Sequence, residues 1–143
     1  DCTTGVSISL PVNSSSERWP DQGVEATRIE NLSFNNIVMQ KGYDSLIHIN
    51  VGEHENTMCA GIKGLYFNNI HASGFRMPHI VGRKDAVLQD IYFSNCTFEQ
   101  LNFEAVNDGK NHGSLFHHDT LPHSLTIKYA NVYMHNTDFK FIG

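Results

Sequence analysis

The chain of 143 residues reads as an all-β protein, a partial parallel β-helix (a solenoid) of roughly four or five coils. Three observations predict this. A nine-residue pattern recurs, as Ile29–Ile37, Ile62–Ile70 and Leu88–Cys96, with a worn fourth copy at Ser124–Val132. Within each copy apolar and polar residues alternate with a period of two, as Leu32 and Phe34 do with Ser33 and Asn35. An asparagine follows the aromatic position at Asn36, Asn69, Asn95 and Asn131. A unit this short cannot bury its apolar side alone, so copies must stack on one another.

The elements follow in order. Gly5–Pro11 alternates Val6 and Ile8 with Ser7 and Ser9 and reads as a first short strand. The first nine-residue core is followed by a second short strand in Ser45–Val51, and the second core by one in Pro78–Arg83. After the third core comes Asn102–Val106, and the chain closes on Phe139–Ile142. The rhythm is therefore strand, turn, strand, loop. The aromatic positions Phe34, Phe67, Phe93 and Tyr129 fall 33, 26 and 36 residues apart, so the loops must vary in length. A propeller blade would need hairpins, and no Asn-Gly or Asp-Gly hairpin signal joins these strands. Asparagine tolerates the left-handed backbone of a tight bend, and its amide can bond along a stack. The recurring asparagines are thus read as bend formers.

Composition bounds the function. Forty per cent hydrophobic residues supply a core, and all 143 residues fit one domain. A net charge of −5 disfavours a general nucleic-acid partner, and no apolar run approaches the ~20 residues that span a bilayer. Cys2, Cys59 and Cys96 show no C-x-x-C spacing. They are read as idle thiols, with one disulfide plus a spare thiol as the alternative. Cys96 is expected to be a small core residue in the column of Ile37, Ile70 and Val132.

Candidate sites are few. Strand alternation turns Val6, Ile8, Ile47, Ile49 and Ile80 inward and His48, Asn50, His79 and Arg83 outward. Those four are the candidate substrate-binding residues. The polar segment 107–123 holds four of the nine histidines, but in no zinc-binding spacing, and is expected to be an exposed loop. Trp19 is expected to clamp the first coil, and sugar stacking is the alternative for Trp19 and Tyr43. No metal or other cofactor is expected, because the acidic residues are scattered.

The phrase formed by Ile29, Asn31, Leu32, Phe34, Asn36, Ile37, Val38 and Met39, with its echo Tyr66-Phe67-Asn68-Asn69, resembles the later coils of family-28 glycoside hydrolases, the polygalacturonase-like enzymes. So do Gly61–Ile70 and the run from Ile80 to Phe98, after which the likeness fades. The resemblance implies a right-handed helix of the pectin-lyase-like superfamily. It also implies an inverting hydrolase whose carboxyls stand ~6.5–9.5 Å apart. The family's motifs, in order, are Asn-Thr-Asp, an Asp-Asp pair, Gly-His-Gly and Arg-Ile-Lys. Here there is no Asp-Asp pair. Asn136-Thr137-Asp138, His112-Gly113 and Arg28-Ile29-Glu30 match only in part or out of order. No catalytic residue is therefore assigned, and the catalytic aspartates are expected upstream of this chain.

The expected function is that of a C-terminal coil segment of a hydrolase acting on pectin-like galacturonan in cell walls, inactive by itself. The alternatives are a non-catalytic carbohydrate-binding or adhesion module and a pectin lyase fragment. The implied partner is the polysaccharide, with no nucleic acid and no membrane. End-to-end association through open coils is a further expectation. The resemblance implies a secreted or periplasmic location.

Overall fold

The computed structural model describes residues 6–9, 27–51, 59–101 and 125–141. They form eight strands in two sheets. The short strands are β1 (Val6–Ser9), β3 (Ile47–Asn50), β5 (His79–Val81) and β7 (Thr126–Lys128). The long ones are β2 (Thr27–Ser45), β4 (Cys59–Arg76), β6 (Leu88–Gln100) and β8 (Ala130–Phe141). One sheet has the order β1-β3-β5-β7 and the other β2-β4-β6-β8. The chain thus alternates between the two sheets, and each strand pairs with the next one placed in its own sheet. Every strand pair is parallel. That excludes the propeller, whose blades are antiparallel.

The inward columns run through the long strands in register. Leu32, Leu65, Ile91 and Val132 make one, and Phe34, Phe67, Phe93 and Met134 the next. In the middle strands these side chains are essentially sealed, with Leu65, Phe67, Ile91 and Phe93 buried. Phe34 stacks on Phe67 at 5.0 Å and Phe67 on Phe93 at 4.8 Å, both pairs at 10°. Phe98 meets Phe93 edge-on at 5.8 Å. Ile8, Ile47, Ile49 and Ile80 of the short strands pack into the same core, as their alternation predicts.

The long strands bend without breaking. Asn36, Asn69, Asn95 and Asn136 have φ of 58°, 56°, 54° and 46°. The Asn69 Nδ2 donates to Asn36 Oδ1 at 2.8 Å, and Asn136 Nδ2 to Asn95 Oδ1 at 2.8 Å. Asn95 Nδ2 reaches Asn68 Oδ1 at 3.4 Å. An earlier bend places Asn31 (φ 58°), Gly64 (φ 70°) and Asp90 (φ 55°) at matching points. Substituting Asn69 separates two effects. Asn69→Ala should lose about 2 kcal/mol, because alanine lacks both the short polar side chain that eases asparagine into the left-handed region and the amide that bonds along the stack. Asn69→Gly restores the backbone freedom and should lose about half as much. Urea denaturation of both variants measures the difference, and equal losses would mean that the backbone contributes nothing.

Three expectations need correction. The fourth core is Ala130–Phe141, not Ser124–Val132. Met134 pairs with Phe93, and Asn136 rather than Asn131 extends the amide ladder. Thr126–Lys128, placed inside that core by the sequence reading, belongs to the short-strand sheet, and Phe139 to Phe141 close β8 instead of starting another strand. Cys96 pairs with Thr137, whereas Val132 pairs with Ile91. Cys96 is nevertheless a buried free thiol in the core. Burial pushes it up, against weaker lowering by backbone hydrogen bonds, so it stays protonated and inert. Asn102–Val106, Trp19 and the 107–123 segment lie outside the described residues.

Candidate binding face

The short-strand sheet carries the candidate site on its outer side. Ile47, Ile49 and Ile80 anchor β3 and β5 in the core, which leaves His48, Asn50 and His79 turned outward and half-buried. Parallel register then aligns them. Ser7, His48, His79 and Thr126 form one outward column, and Asn50, Val81 and Lys128 the next. The imidazoles of His48 and His79 lie face to face, with centroids 5.2 Å apart and planes 10° from parallel. Two ring edges, a hydroxyl at each end of the column and the exposed Lys128 make a row of hydrogen-bonding groups. Lys128 Nζ also sits 5.4 Å from the Tyr129 ring centroid.

Arg83 stands apart from this row. It lies two residues past β5, in a tight turn closed by reciprocal backbone bonds with Ala86, each 3.1 Å. Its guanidinium grips Asp85 in a fork, Nε to Oδ1 at 2.9 Å and Nη2 to Oδ2 at 2.7 Å. That hydrogen bond holds the Asp85 carboxyl below its ordinary range, against a smaller opposing effect of desolvation. The direction is opposite to what a general acid needs. Arg83 is therefore already engaged with a carboxylate of its own chain.

Sequence reasoning brought His48, Asn50 and His79 to one face but missed Thr126 and Lys128. The misplaced fourth core hid them. Their signal was the alternation Leu125-Thr126-Ile127-Lys128, which matches Ile47-His48-Ile49-Asn50 in polarity. Among the described residues no group of three or more His, Cys, Asp and Glu could hold a metal ion. The histidine pair could give a single ion one nitrogen from each ring, short of a closed metal site. Described carboxylates sit beside cations at Arg28–Glu30 (3.4 Å), Lys63–Asp90 (3.8 Å) and Arg83–Asp85. None of these pairs resembles an acid facing a base across a water. Comparison with family models, curated proteins and solved structures finds no match for the chain.

Proposed function

We propose that the two sheets are walls of a right-handed parallel β-helix, and that the chain is a C-terminal coil segment of a polygalacturonase-like hydrolase. Its outer short-strand face would hold a galacturonan chain, while the catalytic aspartates would stand on other coils. The observation that carries this reading is the in-register row Ser7–His48–His79–Thr126 with Lys128 alongside. A row with one polar group per strand suits a polymer with one hydroxylated, carboxylated ring per repeat. Imidazole N–H and ammonium groups are fit donors to uronate carboxylates. The motif resemblance around Phe34, Phe67 and Phe93 supports the same family.

The test uses the chain as it is. Incubated with polygalacturonate it should release no reducing ends, and clear turnover would overturn the placement of chemistry elsewhere. Titrated with oligogalacturonate, it should shift the imidazole C–H resonances of His48 and His79. His48→Ala should weaken binding about tenfold, as expected for one charge-assisted hydrogen bond. Unmoved imidazole signals at saturating oligosaccharide would remove the short-strand face from consideration. A calcium-dependent unsaturated product would instead favour the lyase.

A further inference from the structure

The outer side of the long-strand sheet carries a feature that the proposed function does not use. Tyr66, Tyr92 and Tyr133 stand in one outward column, each on a different strand. Tyr66 stacks on Tyr92 at 5.2 Å and 3°, and Tyr92 on Tyr133 at 4.9 Å and 17°. The rings are 42%, 36% and 50% exposed, least in the middle, where both faces are covered. On β2 the column holds Ser33 in place of a fourth ring. Serine is too small to cover the Tyr66 face above it. Among the described residues the ladder therefore has a ring-sized vacancy, floored by a hydroxyl and walled by an aromatic face.

The surroundings of the vacancy select its occupant. The neighbouring outward column is Asn35, Asn68, Ser94 and His135, so amides and a hydroxyl flank the tyrosines. Three residues earlier along the same strands a hollow of about 260 Å³ opens across Glu30, Lys63 and Gln89. Its charges are matched, Arg28 with Glu30 and Lys63 with Asp90. Among the described residues the strip thus offers no unbalanced cation to a polyanion, and the whole chain carries −5. A purely apolar partner would strand the amides. An uncharged pyranose satisfies both requirements: its C–H face lies on an aromatic ring and its hydroxyls meet Ser33, Asn35 and Asn68. The spacing of the rungs is comparable to the length of one sugar ring, so further sugars can follow the row of tyrosine edges.

We infer that this tyrosine strip is a docking site for a neutral, extended glycan, with one pyranose seated over Ser33 against Tyr66. The inference is independent of the short-strand face and of any catalysis. Affinity electrophoresis of the chain through gels containing β-1,4-galactan, hydroxyethyl cellulose or polygalacturonate tests it. Retardation is expected in at least one neutral gel and there depends on Tyr66, whereas any retardation in polygalacturonate depends on His48 and is unchanged by Tyr66→Ala. Ser33→Tyr completes the ladder and should leave the melting temperature unchanged or raised, while the retardation is lost. Tyr66→Ala should lose it as well. The inference is overturned by absence of retardation in both neutral gels, or by retardation there of Ser33→Tyr or Tyr66→Ala equal to that of the unaltered chain. Self-association that occupies the strip in the absence of glycan, seen by sedimentation, would also overturn it. Binding to the short-strand face is read separately from His48 and His79, so either proposal can fail alone.

Discussion

Phe67→Ala should remove about 3–5 kcal/mol of stability, the range for an aromatic truncated inside a packed core. Phe67 is 1% exposed and belongs to the buried core. It is the middle ring of three, with Phe34 at 5.0 Å and Phe93 at 4.8 Å. Truncation takes a stacked ring away from each neighbour, and parallel strands on either side keep the gap from closing. Whole domains are stable by only about 5–15 kcal/mol, so the variant should stand near the edge of folding. Phe67→Leu keeps most of the volume and should lose no more than about half as much. Chemical denaturation of the two variants reads the difference. A loss for alanine below about 1 kcal/mol, the size of an ordinary surface change, would mean that the ring stack is not the core of the molecule.

Phe67 also shows why so much of the fold was legible. Its neighbours Leu65 and Ile70 repeat in polarity and spacing in β2 and β6, and each position keeps its face because parallel register carries it from strand to strand. The first three cores therefore announce themselves. The fourth misled because Ile127-Lys128-Tyr129-Ala130-Asn131 imitates Ile91-Tyr92-Phe93-Ser94-Asn95 in polarity. Local pattern could not choose between that match and the one five residues later. The choice is made by contacts far away in sequence: Asn136 bonds to Asn95 across 41 residues, and Phe139 stacks on Phe98 at 5.4 Å. With that register, Thr126-Ile127-Lys128 is free to join the other sheet beside His79-Ile80-Val81.

The binding face was legible to a lesser degree, for a related reason. That His48 and His79 point outward follows from the isoleucines beside them. That their rings stack depends on the lengths of chain between β3 and β5, which the pattern of either strand does not encode. Arg83 went astray differently. The alternation of Pro78–Arg83 continues on paper past Val81, but Gly82 and the Arg83–Ala86 turn end the strand. Asp85, two residues on, then captures the guanidinium. Oppositely charged residues two apart in a turn are a readable sign of that capture.

Gly82 supplies the second large effect. A Cβ built there would lie 2.3 Å from the Tyr129 carbonyl oxygen, 3.0 Å from that of Ala86 and 3.1 Å from Leu88 Cγ. The first two atoms belong to backbone, so no side chain can turn aside to make room. The contact is close because the strands are joined here on both sides. Gly82 N donates to Lys128 O at 2.9 Å, and Leu88 N to Tyr129 O at 3.0 Å. Gly82→Ala must therefore push the junction of β7 and β8 away and stretch the bonds that seat it. Overpacking of this kind costs about 1–3 kcal/mol, and the upper end is expected because the clash is with main chain. The damage should be directional. Amide exchange should quicken across Thr126–Phe141 while Leu65–Ile70, two strands away in the sheet, keeps its protection. Gly61→Ala is the control: its φ of 111° strains any side chain, but no atom lies within 4 Å of the new methyl. Its effect should stay local to the start of β4. Uniform loss of protection in Gly82→Ala would mean that the strands unfold as one body and that the last pair holds no separate stability.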